Sequence, residues 1–279
     1  MKTVYIGNTL INDIFLGSQR MDDVAEYDIF TPTDQDAINF LNATGIQDNT
    51  IKIAINTLVT NLKSQNIWNN LYAMYPLVGA SSASCQYNLI NTSSLNLAFS
   101  GSWNFNNNGI SGSGTNNYAS TGFLPLTASY DNVSKNISIG VYVETNITGG
   151  YDMGLDNGAG NALYLISRYT NNLSYFNYTS SLTVANTDAK GFYIGTISGS
   201  APNNQVIYKN GVSVATRNGG GGNIPDGGYL VIGAASQSPI ASSANLYGLS
   251  FIGKGLTSTN ASDLNTTVQT FATTISRNV

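Results

Sequence analysis

Alternating apolar and polar positions dominate the middle of the chain. The clearest example places Val206 and Tyr208 on one face of an extended run, and Val212 and Val214 on one face of the next. Asn210-Gly211 lies between the two runs. An Asn-Gly pair accepts the positive φ angles of a type I′ turn, so the sequence predicts a β-hairpin here.

The same alternation recurs on both sides of this hairpin. Residues 135–145 carry apolar side chains at strict alternation, at Ile137, Ile139, Val141 and Val143. Residues 229–233 and 246–252 are short β-rich runs bounded by Gly, Asn and Ser. Several short strands without an interleaved helical pattern are typical of an antiparallel sandwich. We therefore predict a mainly β protein with such a sandwich over residues 77–255.

Helical spacing replaces alternation before and after the predicted sandwich. Thr31 and Pro32 have the character of an N-cap and a first-turn proline, and Gly45 would end that helix. A second helix starts near Asp48 or Asn49, and its apolar stripe continues as far as Tyr75 through Ile51, Ile55, Leu58, Leu62, Ile67, Trp68, Leu71 and Met74. The spacing predicts a helical neck over residues 31–76. A C-terminal helix within residues 256–279, starting near Asn260 and Asp263, follows from Leu264, Val268, Phe271 and Ile275.

Residues 1–24 contain an internal repeat with a period of ten, in which Tyr5-Ile6-Gly7 returns as Phe15-Leu16-Gly17. Each unit has an aromatic-aliphatic pair, a turn and a second short apolar run. Because an isolated hairpin is marginal in water, we expect residues 1–30 to form an attachment arm that packs on another protein or on copies of itself. The candidate contact residues are Tyr5, Ile6, Gly7, Phe15, Leu16 and Gly17. The alternative is a hairpin that lies on its own domain.

Gly-rich stretches at residues 149–161 and 219–228 are predicted loops, the first followed by a strand over residues 162–169. Such loops are the usual recognition surfaces of a sandwich. The candidate glycan-contacting residues are Trp103, Tyr151, Asp152, Asp226 and Tyr229. Asp152, Asp156 and Asn157 could instead offer oxygen ligands to calcium, but turn formation is the simpler interpretation, so no metal site is predicted.

Composition limits the chemistry that this chain can perform. It has no histidine and only two glutamates, Glu26 and Glu144. Histidine is the usual base for a serine or cysteine nucleophile, and glycoside hydrolysis needs two carboxylates about 5–9 Å apart. We therefore expect neither an enzyme nor a cofactor. A hydrolase is the third-ranked alternative: Asp152 and Asp156, or Asp226 brought close by folding, would supply its carboxylate pair, and replacing Glu144 or Asp152 would abolish turnover.

Charge and hydropathy restrict the partners. Charged residues make up 9% of the chain and the net charge is −4, so no nucleic-acid-binding patch is expected. The apolar runs are too short for a membrane span, and the N-terminal run is interrupted by Gly7 and Asn8, so we expect a protein made without an export signal. A surface of Asn, Ser, Thr and Tyr suits packing against other protein copies or contact with sugars.

Three segments of the predicted sandwich, residues 206–212, 228–234 and 246–256, resemble the laminin-G-like, or concanavalin A-like, jelly roll. The lead-in at residues 67–79 and the tail at residues 268–271 resemble versions of that domain in virion proteins of tailed bacteriophages, including crAss-like phages. The doubled units of the arm resemble N-terminal segments of phage fibre proteins.

The resemblance implies a structural protein displayed on a phage particle as a head or tail fibre or decoration protein. It would be made in the host cytoplasm and form a homo-oligomer, expected to be a trimer. Its partners would be other virion proteins of the capsid or tail, and its jelly roll would contact a host surface glycan. A free carbohydrate-binding module is the second hypothesis.

Overall fold

A computed structural model describes residues 4–6, 9–11, 15–16, 19–20, 30–125, 136–156, 162–178, 180–199, 204–218, 228–236 and 241–279. The chain forms two compact units, Met1–Thr31 and Pro32–Val279. The helices predicted as a neck belong to the same unit as the sandwich. Among the helices of the described segments, none has the length and apolar character that crossing a membrane requires.

The first unit contains two antiparallel hairpins. Strands β1 (Val4–Ile6) and β2 (Thr9–Ile11) pair with each other, and β3 (Phe15–Leu16) pairs with β4 (Gln19–Arg20). The repeat is therefore confirmed as one hairpin per unit. Of the predicted contact residues, Tyr5 and Ile6 lie in β1 and Phe15 and Leu16 lie in β3, whereas Gly7 and Gly17 lie outside the described residues. Their contacts with another chain stay a prediction.

The second unit is an antiparallel jelly-roll sandwich of two sheets. Its strands are β5 (Leu71–Tyr75), β6 (Ala98–Ser100), β7 (Trp103–Asn106), β8 (Gly109–Gly112), β9 (Tyr118–Ser120), β10 (Asn136–Val143), β11 (Met153–Asp156), β12 (Ala162–Ile166), β13 (Leu173–Tyr178), β14 (Ser181–Ala185), β15 (Gly191–Ser198), β16 (Gln205–Lys209), β17 (Val212–Arg217), β18 (Val231–Ile232) and β19 (Leu246–Gly253). The first sheet has eight strands in the order β17-β16-β15-β10-β19-β8-β7, with β5 also paired to β19. The second sheet has seven strands in the order β14-β13-β12-β11-β18-β9-β6.

The strongest sequence prediction, the hairpin around Asn210-Gly211, is confirmed. Strands β16 and β17 pair antiparallel, with Lys209 opposite Val212. Asn210 and Gly211 have φ angles of 51° and 77°, which are the positive values that a type I′ turn needs. Alternation then sends Ile207 into the core between the sheets and Val206 and Tyr208 to the outer side.

Three helices cover the outer side of the eight-stranded sheet. They are α1 (Gln35–Thr44), α2 (Asn49–Ser64) and α4 (Ser258–Thr274), whereas α3 (Ser82–Cys85) is a single turn. Asp48 caps α2 by accepting a hydrogen bond from the Ile51 N–H at 2.9 Å, and Gly45 ends α1 with a φ of 69°. We call the sheet surface under these helices the helical face. Its residues are Tyr142, Phe192, Ile194, Val206, Tyr208, Leu249 and Phe251.

Several predicted boundaries are wrong. The helical stripe does not continue to Tyr75: α2 ends at Ser64, and after a 3-10 turn at Trp68–Asn70 the chain enters β5. The segment pairs antiparallel with β19, and this ladder supplies hydrogen-bonding partners for its backbone N–H and C=O groups. The first helix is capped by Asp34 rather than Thr31, so Pro32 lies before it.

Other errors concern a loop and two element ends. The predicted loop over residues 149–161 contains β11, which pairs with both β12 and β18. Strand β12 ends at Ile166 rather than Tyr169. Helix α4 starts earlier than predicted, because the Thr257 side chain accepts a hydrogen bond from the Asn260 N–H. The predicted loop at residues 219–228 falls almost entirely outside the described residues.

Candidate functional site

The outer side of the seven-stranded sheet carries tyrosines and small polar residues where the helical face carries apolar ones. Leu163, Leu165 and Phe176 point into the core between the sheets. Alternation therefore turns Tyr164 and Tyr175 outward. We call this side the tyrosine face; its described outward residues include Gly154, Asp156, Tyr164, Tyr175, Asn177, Ser181 and Thr183.

Four tyrosines at one end of this face form a cluster, which we call the tyrosine cluster: Tyr151, Tyr164, Tyr169 and Tyr175. The ring centroids of Tyr151 and Tyr164 lie 4.9 Å apart at an interplanar angle of 89°. Those of Tyr169 and Tyr175 lie 5.9 Å apart at 82°. Edge-to-face packing of this kind holds the rings in fixed orientations. All four side chains are half-buried, so each ring presents part of its surface to solvent.

Polar neighbours fix the hydroxyl groups of the cluster. The Asn171 side-chain amide donates to the Tyr175 hydroxyl at 2.6 Å, and the hydroxyl groups of Tyr164 and Ser181 lie 3.3 Å apart. Burial raises the pKa of the Tyr151 and Tyr164 phenols. Neighbouring tyrosines and the Asp156 carboxylate add to the increase, while for Tyr164 the Ser181 hydrogen bond opposes it. At neutral pH the two phenols are therefore protonated and can donate hydrogen bonds.

Gly154 allows the cluster to pack directly on the sheet. It lies opposite Tyr164 in the pairing of β11 with β12. A Cβ atom at this position would lie 2.9 Å from the Tyr164 Cβ and 3.1 Å from the Ala235 Cα. Any larger residue would therefore displace the Tyr164 side chain or the segment that contains Ala235.

Asp152 is an interior residue, contrary to its predicted contact with a glycan. Its side chain is 0% exposed. Its carboxylate accepts four hydrogen bonds, which come from the Ser167 N–H at 2.6 Å, the Ser243 hydroxyl at 3.1 Å, the Asn245 amide at 2.9 Å and the Tyr247 hydroxyl at 2.8 Å. These donors connect the start of β11 to the end of β12 and to β19. The carboxylate therefore positions the backbone beside Tyr151.

The remaining predicted contact residues lie apart in the fold or outside its described part. Trp103 belongs to β7 of the other sheet, where its ring packs against the core and its Nε1–H donates to the Ser100 carbonyl at 3.0 Å. Tyr229 is 38% exposed and lies just before β18, outside the strands of the tyrosine face. Asp226 lies outside the described residues. Of the predicted set, Tyr151 is the residue that the structure places in the cluster.

A separate cleft of about 220 Å³ opens where helix α2 begins. It is lined by Asp48, Thr50, Ile51, Gly79, Asn107, Ile275, Ser276 and Arg277. The Arg277 guanidinium is already engaged, since it donates to the carbonyl oxygens of Pro76, Leu77, Asn107 and Gly248 at 2.8–3.4 Å. We interpret this cleft as the place where the C-terminal tail packs on the fold.

Within the described segments, no group of three or more acidic or cysteine side chains could hold a metal ion.

Tyr164, Tyr169 and Tyr175 were missed by the sequence predictions, although a signal exists. In Ala-Leu-Tyr-Leu-Ile and Leu-Ser-Tyr-Phe-Asn-Tyr, the residues on either side of Tyr164 and Tyr175 include the large apolar side chains of the core. A tyrosine of opposite parity to such residues must face outward. The predictions placed β12 but did not place β13, so this parity could not be compared between neighbouring strands.

No protein-family model and no curated protein matches the chain. Solved structures do resemble it. Trypanosoma rangeli sialidase in complex with sialic acid matches with a TM-score of 0.51 and 11% identity, over 76% of this chain and 38% of the sialidase. A mutant of that sialidase that displays trans-sialidase activity matches with a TM-score of 0.51 and 12% identity, over 78% of this chain and 39% of its own.

A structure described as a receptor binding domain matches with a TM-score of 0.51 and 15% identity, over 75% of this chain and 53% of its own. The chain therefore spans between two fifths and about half of the length of these structures. At such low identity, the likeness establishes the antiparallel β-sandwich fold, in agreement with the fold predicted from the sequence.

Proposed function

We propose that this chain is an adhesion protein whose sandwich binds a glycan through the tyrosine cluster, and that residues 1–30 attach it to a phage particle. The observation that carries the first half is the arrangement of the four tyrosines. Two edge-to-face pairs stand at one end of the sheet, with ring surface and hydroxyl groups available together.

Tyrosine suits the recognition of a sugar. A sugar ring has an apolar C–H surface, which packs on aromatic rings, and hydroxyl groups, which need hydrogen-bonding partners. Tyrosine supplies both and loses little conformational entropy, because it has two side-chain torsions. The comparisons add that the same fold occurs in a sialidase bound to sialic acid and in a receptor binding domain. They support a recognition role for the fold without identifying a ligand.

The proposed mode of action is binding without catalysis. The hydrolase alternative needs a pair of carboxylates, for which Asp152, Asp156 and Asp226 are candidates, and its test replaces Glu144 or Asp152. Asp152 is fully buried and its carboxylate already accepts four hydrogen bonds. Glu144 lies beside Gly248 and Tyr142, and the Tyr142 ring belongs to the helical face. Glu144 is therefore not placed to act as an acid on a ligand of the tyrosine face. A glycan bound at the tyrosine cluster would meet Asp156 as its nearest described carboxylate.

Replacing Tyr164 or Tyr175 by alanine tests the adhesive role. We expect each replacement to weaken the binding of the best glycan from an array by about tenfold, the effect of losing one aromatic contact. Isothermal titration with that glycan measures the change. Tyr87→Ala is the matched control, because Tyr87 is a half-buried tyrosine that packs on the helical side. Equal affinity in all three variants would contradict the proposed site.

The second half of the proposal concerns the arm. Its support is that Met1–Thr31 forms a compact unit of its own, built from two consecutive hairpins that follow the repeat. We expect a chain without residues 1–24 to keep a folded sandwich but to be absent from purified particles, as measured by mass spectrometry of the particles. Normal incorporation would refute the role of the arm. Tight glycan binding by a monomeric full-length chain would favour the free carbohydrate-binding module over the trimeric virion protein that the resemblance implies.

A further inference from the structure

Asp156 is placed to influence any ligand of the tyrosine cluster. It is the last residue of β11 and has the same parity as Gly154, which lies opposite Tyr164. Asp156 itself lies opposite Ala162, so its side chain is a diagonal neighbour of Tyr164 on the outer side of the sheet. Its backbone N–H donates to the Ala235 carbonyl at 2.6 Å, which holds this strand end in place.

The charge of Asp156 acts on the cluster directly. Tyr151 and Tyr164 are both among the groups whose pKa values it raises, in addition to the larger effect of burial. The negative charge of Asp156 therefore acts on both phenols of this part of the cluster. Asp156 is half-exposed, so solvent attenuates the effect of its charge without removing it.

Two described cations lie near the margin of the tyrosine face, and both are directed elsewhere. The Arg168 guanidinium donates to the side-chain oxygens of Asn146 and Asn172 at 2.7–3.0 Å. The Arg217 guanidinium reaches across from β17 and donates to the Ser181 carbonyl at 2.7 Å. Since both groups are held by uncharged oxygens, a carboxylated ligand would have to outcompete these contacts and would also approach Asp156.

We propose that the tyrosine cluster selects uncharged saccharides over carboxylated ones, and that Asp156 is the residue that sets this specificity. The proposal rests on the glycan-binding function proposed above and adds the ligand class. A carboxylate oxygen is a strong acceptor for sugar hydroxyl groups, so Asp156 favours a neutral sugar by hydrogen bonding. The same charge repels the carboxylate of a sialic or uronic acid.

Matched pairs of glycans test the specificity of the full-length protein. Each pair consists of a neutral oligosaccharide and the same oligosaccharide extended by sialic acid, for example lactose and 3′-sialyllactose. We expect the neutral member of the best-binding pair to bind about fivefold to tenfold more tightly, the effect of one like charge at short range in a solvated site. In 0.5 M NaCl, where screening is stronger, this ratio should shrink.

Asp156→Asn separates the specific effect from a structural one. The variant keeps the size and hydrogen-bonding capacity of the side chain but lacks its charge, so we expect the affinity ratio to approach one, mainly through tighter binding of the sialylated member. Thermal unfolding confirms that the variant is folded. Preference of the wild type for the sialylated member, or an unchanged ratio in the variant, would overturn the inference while leaving glycan binding intact. Failure of every pair to bind would instead refute the proposed function, and the inference with it.

Discussion

The two outer sides of the sandwich are built from strands of the same period but have become different surfaces. On the helical face the outward residues are mainly large and apolar, and α1, α2 and α4 cover them. On the tyrosine face the outward residues are tyrosines and small polar groups, many of them half-exposed. Alternation alone decides which residues point outward. The chemistry of those residues decides whether the surface is buried by the chain or presented to a ligand.

A glycine opposite an aromatic residue of the neighbouring strand occurs on both faces. A Cβ atom on Gly140 would collide with the Phe251 ring, and one on Gly154 would crowd Tyr164. In each case the missing side chain leaves room for the aromatic residue that lies opposite the glycine on the neighbouring strand. On the helical face the ring then packs against Phe192, with centroids 5.9 Å apart, beneath the helices. On the tyrosine face the ring packs against Tyr151 and remains in reach of solvent.

Removing one ring from each face provides the largest test of this difference. We expect Phe251→Ala to lower the free energy of unfolding by about 3–5 kcal/mol, because Phe251 is fully buried and a cavity would remain. Tyr175→Ala should cost only about 1 kcal/mol, because its ring is half-exposed. Urea unfolding of the two variants measures both values. Similar losses would show that the tyrosine face is as much a packing surface as the helical face.

The β-rich core of the fold could be predicted because its signals are local. The Asn210-Gly211 turn, the alternation in β10 and the cap and stripe of α2 each depend on a few neighbouring residues, and each is confirmed. Leu71–Tyr75 could not be assigned correctly in the same way. Its apolar residues fit a helical stripe, and only the edge of β19, far along the chain, makes it a strand.

The candidate site was less predictable, because it depends on contacts between distant segments. Tyr151 was selected from its loop-like sequence, but its partner Tyr164 lies on the next strand and Tyr175 on the one after. Asp152 was selected for its carboxylate, yet its donors come from residues 167 and 243–247. A carboxylate on the surface and one in the interior have the same sequence signal when those donors are unknown.

Ionisable groups also differ between the two faces. On the helical side the Arg277 side chain is 4% exposed, and its guanidinium is held by four backbone carbonyl oxygens. Glu144 lies in the same region, and its Oε1 atom is buried without a hydrogen-bond partner among the described residues. On the tyrosine face Asp156 is half-exposed. A buried carboxylate should make stability depend on pH, which gives a second and smaller test.

Burial raises the pKa of Glu144 to about 7, against an ordinary value of 4.5. The positive charges of Arg277 and Lys190 oppose the increase, and Tyr142 is a further ionisable neighbour. The folded protein therefore binds this proton more tightly than the unfolded chain. The stabilising contribution is fully present below pH 4.5 and is lost as the pH rises to about 7. Allowing for solvent screening at this half-buried site, we expect a loss of about 1 kcal/mol.

Glu144→Gln should remove this loss. Between pH 5 and 8 the free energy of unfolding of the variant should then change by about 1 kcal/mol less than that of the wild type. Urea unfolding at several pH values measures the difference. The chain has no histidine, so few other groups titrate in this interval. Glu144→Asp keeps a carboxylate at the position and is the matched control, which should retain the slope. If Glu144→Gln lost stability with pH as steeply as the wild type, the buried charge of the helical side would not be the origin of the pH dependence, and the two faces would not differ in this respect.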